Sequence, residues 1–361
     1  MDSPAALPVA PPPVSLPVPL VAGQPWVVLA PMQDICSGRF MDIVARRGAP
    51  DWFVTEFFRV HETSVPDAGT LARFTQNDTG RPLFVQLIGE HVPRMAQVAA
   101  LFSRFPVAGI ELNLGCPAPQ VFRKNVGGGL LRDLPRVDAL LGAMRDAIPA
   151  GLFSVKTRIA FDDAGVAADT LGALVDGINR HSVDLLTVHG RTVRGLYRSA
   201  VDYGAIAGAV RRARCPVMAN GDISSAEKAA KVLETTGCAG LMVGRHAVRN
   251  PWIFRQIREH LAGSPVFQPR LADVRAYVDD LATAVPGTDE IRRAASLKKF
   301  LNFVGTSVDA EGKFLFAMRR APNFSALMRV CDTFLLADGA ADQSFPDEPF
   351  AGLVARPNCE A

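Results

Sequence analysis

One cysteine stands where an apolar run meets a glycine-containing loop. Cys116 ends the stretch ELNLGC (111–116), Pro117 follows it directly, and three consecutive glycines come at 127–129. A continuous apolar run of this kind predicts a strand that is buried on both faces. A thiol is mostly protonated at neutral pH, so at the end of such a strand it can serve as a general acid. Taken alone, Cys116 could equally be an inert core residue, as most buried free cysteines are.

The elements that must position this thiol follow a repeated pattern, in which an apolar run ends in polar residues and an amphipathic stretch follows. The runs are WVVLAPM (26–32), WFVTEF (52–57), PLFVQLIG (82–89), GIELNLGC (109–116), FSVKTRI (153–159), LLTVHGR (185–191), PVMANGDI (216–223) and GLMVGRH (240–246). Eight strand–helix units over roughly 230 residues predict an α/β protein with a TIM (β/α)8 barrel. A doubly wound sheet is the alternative, but it usually has a Gly-rich turn after its first strand, and LAPMQD has none.

Polar residues at the strand ends are the candidate functional groups, because the C-terminal ends of barrel strands face the active site. One such strand end would be an ordinary loop start, whereas hydrogen-bonding, charged or turn-forming residues after all eight predicted strands indicate a site. The residues are Pro31 and Met32, Glu56, Gln86, Asn113 and Cys116, Lys156 and Arg158, His189 and Arg191, Asn220, Gly221 and Asp222, and Gly244 and Arg245.

The last two strand ends predict a phosphate site. Gly221, Gly244 and Arg245 follow strands seven and eight, where TIM barrels commonly bind phosphate through backbone N–H groups and a helix N-terminus. Gln86 and Lys156 could meet a polar heterocycle deeper in the barrel. This combination is typical of a site for flavin mononucleotide, but a sugar phosphate would satisfy the phosphate site equally well.

Composition and the remaining segments bound the class of protein. Of the 361 residues, 48% are hydrophobic and 21% are charged, with a net charge of +3, which is typical of a globular protein. No apolar run is long enough to span a bilayer, and the apolar N-terminus lacks the basic start of a signal peptide. None of the six cysteines has metal-ligand or CxxC spacing, which argues against a metal site and favours a reducing compartment. The predicted domains are a Pro-rich, disordered tail (1–24), the barrel (25–262), a basic helical domain (263–338) and a second tail (339–361).

The motifs together resemble the tRNA-dihydrouridine synthase family of flavoenzymes, and most closely its bacterial C-type branch, which is associated with uridine 16 of the D-loop. Each motif alone is weakly specific, but their order and spacing over about residues 26–335 are highly specific. They are LAPM (29–32), TEFFRV (55–60), VQLIG (85–89), ELNLGCP (111–117), GGGLL (127–131), SVKTR (154–158), TVHGRT (187–192), ANGDI (219–223) and VGRHA (243–247).

The resemblance implies a role for each matched position. Cys116 would protonate the uracil, from a loop that the glycines at 127–129 make mobile or allow to pack closely. The cofactor, FMN, would be held by Pro31, Met32, Gln86, Lys156, His189, Asn220, Gly221, Asp222, Gly244 and Arg245. The tRNA would be met by Glu56, Asn113, Arg158, Arg191, Lys298 and Arg320.

The same resemblance implies reduction of a tRNA uridine to 5,6-dihydrouridine, with NADPH as electron donor, by a cytoplasmic, monomeric enzyme that needs no metal and no membrane. Departures from the family pattern occur at Asp34, Ser37, Asn125 and Ser296, and the last of these lies in the helical segment that is expected to meet the tRNA. Two other functions stay open: an FMN-dependent oxidoreductase of a free pyrimidine, similar to dihydroorotate dehydrogenase, and an RNA-binding flavoprotein without catalysis.

Overall fold

The computed structural model describes residues 15–337 and 339–355. The chain forms two compact units, the first from residues up to 33, 51–221 and 232–242, and the second from 34–50, 222–231 and 243 onward. The strands are β1 (Trp26–Leu29), β2 (Phe53–Val54), β3 (Phe58–Val60), β4 (Leu83–Gly89), β5 (Gly109–Leu114), β6 (Leu152–Arg158), β7 (Leu185–His189), β8 (Val217–Asn220) and β9 (Gly240–Val243).

Helices follow the strands in alternation and then continue alone to the C-terminal part. They are α1 (Gly38–Arg47), α2 (Ala68–Thr75), α3 (Val92–Phe102), α4 (Pro119–Phe122), α5 (Leu134–Ala147), α6 (Asp163–Ala167), α7 (Thr170–Arg180), α8 (Tyr203–Arg212), α9 (Ala226–Thr236), α10 (Arg245–Arg249), α11 (Ile253–Leu261), α12 (Leu271–Ala284), α13 (Glu290–Val304), α14 (Lys313–Arg320) and α15 (Phe324–Leu335). The ends of α9 have the residues that commonly bound a helix: Ser225 Oγ accepts the Lys228 N–H before it, and Gly237 follows it with a positive φ.

The sheet of the first unit is a parallel barrel, which confirms the predicted fold class. Its strands are hydrogen-bonded in the order β1-β9-β8-β7-β6-β5-β4-β2, with β3 also pairing with β4. The Asp51 N–H donates to the Val27 carbonyl, and the Asp51 carboxylate accepts the Val27 N–H. These bonds join the first strand to the last one in the order and close the ring.

Apolar side chains that point into the ring fill the floor of the barrel. The cluster contains Val28, Ala30, Trp52, Val54, Phe84, Leu152, Leu185, Met218 and Met242. Gly109 is required at this level, because a Cβ there would lie 2.6 Å from the Leu152 carbonyl oxygen. Since successive residues of a strand alternate in direction, the next inward positions above this floor are the ones that carry polar side chains.

The second predicted strand is shorter than its apolar run and is interrupted at residues 55–57. The Gln86 N–H donates to the Thr55 hydroxyl at 3.0 Å. A side-chain acceptor here replaces a backbone carbonyl, so the chain at Glu56 leaves the regular ladder before β3 pairs with β4 further on. The break gives Glu56 an irregular backbone close to the barrel mouth.

Within the second unit, α12 to α15 form the all-helical region that the sequence predicts between residues 271 and 336. Leu297 and Leu301 of α13, Leu315 and Met318 of α14, and Leu327 of α15 are all buried. The apolar face of each helix therefore supplies the core of this region, as amphipathic helices require.

The predicted tails are partly outside the described residues, and their limits stay predictions together with the other domain limits. Of the N-terminal one, residues 15–24 are described; Leu16 packs against the barrel floor, and the Pro17 carbonyl accepts the Trp26 indole N–H at 2.8 Å. Of the C-terminal one, Phe345 is fully buried. The described parts of both segments therefore make specific contacts that their composition did not indicate.

Candidate active site

A layer of polar side chains lies directly above the apolar floor of the barrel. Gln86, Glu111 and Ser154 stand opposite one another on β4, β5 and β6, so all three point to the same side of the sheet. Gln86 Nε2 donates to Glu111 Oε1 at 2.6 Å, and the Ser154 hydroxyl lies 3.4 Å from Glu111 Oε2. Burial raises the pKa of the Glu111 carboxyl to about 7, although the Gln86 hydrogen bond and the charge of Lys156 oppose that shift.

Asn113 connects this layer to Cys116. Its Nδ2 donates to Gln86 Oε1 at 2.8 Å, and its Oδ1 accepts the N–H groups of Gly115 at 2.9 Å and Cys116 at 3.0 Å. Asn113 thus fixes the turn in which β5 ends. Cys116 is partly exposed and packs beside Ile88 and Val121, so its side chain lies at the mouth of the barrel and not within the apolar core.

Lys156 is a buried cation in the interior of the barrel. Its Nζ donates to Asn220 Oδ1 at 3.2 Å, and Asn220 Nδ2 in turn donates to the Met242 carbonyl at 2.7 Å. Burial lowers the pKa of Lys156 to about 8, with the Glu111 charge acting in the opposite direction. Thr187 stands opposite Lys156 on β7, and its buried hydroxyl has no hydrogen-bond partner within the described residues.

Three further predicted site residues lie on the inner side of the barrel, at the ends of β6 and β7. The His189 ring stacks at an angle near Tyr197, 6.1 Å between centroids, and the Arg191 Nη1 lies 3.5 Å from its Nε2. Arg158 is only 1% exposed and donates to three carbonyls, those of Gly115, Thr192 and Leu196. Burial lowers the pKa of the Arg158 guanidinium. This arrangement ties the loop after β5 to the loop after β7.

The glycines after Cys116 are close-packing positions. They begin a 3-10 turn, Gly127–Arg132, in which all three are buried. The Gly128 N–H donates to the Cys116 carbonyl, and a Cβ on Gly128 would lie 2.6 Å from Val193 Cγ2 and 2.9 Å from that carbonyl oxygen. Of the two roles considered for these glycines, the structure supplies a direct physical reason for close packing.

The predicted phosphate-binding residues are divided between the two units. In the first unit, Gly221 has φ +126°, a backbone conformation that favours glycine, and its carbonyl accepts the Tyr203 hydroxyl at 2.9 Å. In the second unit, Arg245 pairs with Asp222 at 3.1 Å, and Gly244 precedes α10. The role of these residues in binding phosphate stays a prediction.

The remaining predicted site residues differ in their surroundings. Pro31 and Met32 are half-buried after β1. Glu56 is buried and accepts from Gln33 Nε2 at 3.3 Å. In the helical region, Lys298 donates to the carbonyls of Arg319 and Ala321, at the end of α14, whereas the Arg320 guanidinium lies 3.7 Å above the exposed ring of Phe316.

Comparison with known proteins decides the family. The family model described as "Dihydrouridine synthase (Dus)" matches residues 28–300. The chain belongs to the dihydrouridine synthase family. The enzymes of this family are flavin-dependent oxidoreductases, and the predicted enzyme class is thereby confirmed. Among the described residues, no helix is both long and apolar enough to cross a bilayer.

Curated members of the dihydrouridine synthase family are similar over most of the chain. A tRNA-dihydrouridine(16) synthase of Haemophilus ducreyi is 32% identical over 67% of this chain and 76% of its own. A tRNA-dihydrouridine synthase B of Pseudomonas putida is 34% identical over 71% and 75%. A tRNA-dihydrouridine(16) synthase of Neisseria meningitidis is 28% identical over 85% and 94%.

A solved structure of a morphinone reductase mutant in complex with tetrahydroNAD shares the fold, with a TM-score of 0.50 and 13% identity over 67% of this chain and 87% of that one. Two residues of the candidate site, Glu111 and Thr187, were not singled out from the sequence. Glu111 could have been found as a carboxylate two positions before Asn113, on the same inward face of β5. Thr187 could have been found in the same way, as a polar residue two positions before His189 on β7.

Proposed function

We propose that the protein reduces a uridine of tRNA to 5,6-dihydrouridine with bound FMN, that NADPH is the electron donor, and that the target is uridine 16. The observation that carries the proposal is the position of Cys116, held by Asn113 at the barrel mouth above a buried lysine. Relatives named for tRNA and for position 16 support the substrate, and two alignments to such relatives cover 85% and 84% of this chain.

The barrel interior fits the polar edge of a flavin. The ring edge presents carbonyl oxygens and ring nitrogens, which need buried donors and acceptors. The Thr187 hydroxyl, which has no hydrogen-bond partner among residues 15–337 and 339–355, and the ammonium group of Lys156 lie on neighbouring strands and face the same side. Lys156 would stabilise negative charge on the reduced ring, since a buried cation acts strongly in a site of low dielectric constant.

The protein's own groups would complete the reduction. Flavin, when bound, would supply the hydride chemistry at C6 of the uracil, and Cys116 would supply the proton for C5. The Cys116 thiol gives up its proton as the new C5–H bond forms, and the thiolate is later reprotonated from solvent. Asn113 Oδ1 holds the backbone at this cysteine by accepting the N–H groups of Gly115 and Cys116. The uridine must leave the tRNA stack to reach this depth.

The helical domain, residues 263–338, is proposed to bind tRNA. Arg320 on its exposed aromatic neighbour offers a cation and a stacking surface, which RNA-binding surfaces commonly combine. Lys298, in contrast, is already bound to two carbonyls, so Arg320 is the better supported of the two predicted contacts. We also propose that the protein acts as a monomer in the cytoplasm, where tRNA is found.

The test is a Cys116→Ala variant together with mapping of dihydrouridine in tRNA. The variant should still bind flavin and tRNA while dihydrouridine formation falls about 10²- to 10⁴-fold. Loss of dihydrouridine at position 16 alone in a deletion strain would support the target. An unchanged yield in Cys116→Ala would refute the acid role, and turnover of free dihydroorotate without tRNA binding would favour the free-pyrimidine alternative.

A further inference from the structure

A buried carboxylate has no part in the reaction proposed above. Glu111 is 1% exposed, lies in the middle of β5, and is surrounded by side chains of the two neighbouring strands. Burying an ionisable group in this way costs stability unless its oxygens are hydrogen-bonded. Both Glu111 oxygens face donors, Gln86 Nε2 and the Ser154 hydroxyl, so the group is built into a network.

The network has a direction that Glu111 fixes. Above its pKa of about 7 the Glu111 carboxyl is ionised. An ionised carboxylate only accepts hydrogen bonds, so the amide of Gln86 turns its NH2 group toward Glu111 and its oxygen away. That oxygen accepts a hydrogen bond from the NH2 group of Asn113 at 2.8 Å. The side-chain oxygen of Asn113 then points to the backbone of Gly115 and Cys116, and it accepts hydrogen bonds from both of their N–H groups.

We propose that Glu111 is a positioning residue for Cys116, which acts through the side-chain amides of Gln86 and Asn113. If Glu111 could also donate, both amides could rotate together and place an NH2 group against the two backbone N–H groups. The turn after β5 would then lose its acceptor, and the thiol would lose its fixed position. The consequence for turnover rests on the proposed function, whereas the hold on the turn does not.

Amide hydrogen exchange of the holoenzyme at pH 8 tests the proposal. Glu111→Gln keeps the shape of the side chain and removes the fixed acceptor. We expect the amides of Gly115 and Cys116 to exchange about fivefold to tenfold faster, kcat to fall by a similar factor, and KM for tRNA to stay unchanged. Ser154→Ala is the matched control, because it removes the other contact of the same carboxylate but leaves its direction intact; exchange in this variant should match the wild type.

A second variant tests whether the donor–acceptor direction of the hydrogen-bond network is what holds the turn. Adding Asn113→Asp to Glu111→Gln restores a fixed acceptor beside the two N–H groups, and exchange should return to the wild-type rate. Unchanged exchange in Glu111→Gln, or no restoration in the double variant, would overturn the proposal. Faster exchange throughout β6 would also overturn it, since that would indicate the loss of a counter-ion for Lys156. If the exchange results are as expected but wild-type protein forms no dihydrouridine, the proposed function fails and the positioning role stands.

Discussion

Gly128 is the position where a single methyl group should test the packing around the thiol. In Gly128→Ala the new Cβ would lie 2.6 Å from Val193 Cγ2 and 2.9 Å from the Cys116 carbonyl oxygen. Val193 is fully buried and β-branched, so it cannot rotate away easily. Ordinary contact begins at 3.4 Å, so the carbonyl must retreat by about half an ångström, and the hydrogen bond that it accepts from Gly128 must lengthen.

Two effects of this substitution can be estimated. Overpacking of a buried site costs about 1–3 kcal/mol, which corresponds to a decrease in Tm of roughly 2–10 °C for a domain of this size. A displacement of 1 Å at a reacting group can cost about 100-fold in rate, so half of it should lower kcat about tenfold. Flavin content should stay unchanged, because the contact does not involve the groups of the barrel interior.

Gly208→Ala is the control for this experiment. Gly208 lies in α8, where the nearest atom to a new Cβ is Arg211 Nη2 at 3.9 Å. Alanine in a helix interior is favoured by roughly 0.5–1 kcal/mol, so this variant should melt slightly higher with wild-type turnover. Thermal melting and initial rates of dihydrouridine formation measure both variants. Wild-type kcat and Tm in Gly128→Ala would refute the reasoning.

Three further predictions follow from the surroundings of single residues. Burial lowers the pKa of Lys156 from 10.5 to about 8. Between these two pH values the folded apoprotein therefore binds fewer protons than the unfolded chain. The buried charge lowers the free energy of unfolding by its full amount below pH 8, and this destabilisation decreases as the pH rises above 8. In urea unfolding, Lys156→Met should therefore have a higher free energy of unfolding than the wild type near pH 7, and most of this difference should be lost by pH 10. A difference that stays constant with pH would contradict the lowered pKa of Lys156. Phe345→Ala should lower the free energy of unfolding by about 3–5 kcal/mol in the same assay, because the ring is fully buried; an unchanged midpoint would mean that the C-terminal segment is not packed. Arg320→Ala should weaken tRNA binding and lower the salt dependence of log Kd by about one charge, as measured by filter binding from low to high salt; an unchanged slope would remove Arg320 from the interface.

The strand ends could be predicted because two simple patterns coincide there. A buried parallel strand is a continuous apolar run, and the first polar residue after it must lie at the barrel mouth. This reasoning located Asn113, Cys116 and Lys156 correctly on the inner side of the sheet or at its end. It could not predict their partners, since the register between neighbouring strands is not readable from either strand alone.

Residues with long-range roles were correspondingly missed or read too simply. Arg158 reads as a basic group that is available to a ligand, but its nitrogens are bound to carbonyls that are contributed by distant loops. Lys298 reads as part of a basic helix face, but it caps the end of α14. In both cases the competing acceptors are backbone carbonyls, which every residue has and which therefore leave no mark in the sequence.

The residues of the candidate site differ in their roles according to how deep in the barrel they lie. Glu111 and Lys156 lie above an apolar floor, and burial moves their pKa values in opposite directions, to about 7 and about 8. Between pH 7 and pH 8 the Glu111 carboxylate and the Lys156 ammonium group are therefore both charged for the most part, so Glu111 serves as an acceptor there while Lys156 supplies positive charge to a ligand. Cys116 lies higher and is partly exposed. A neutral thiol needs no such shift to donate a proton, but it does need a fixed direction, and the amides between it and the deep layer are the groups that supply one.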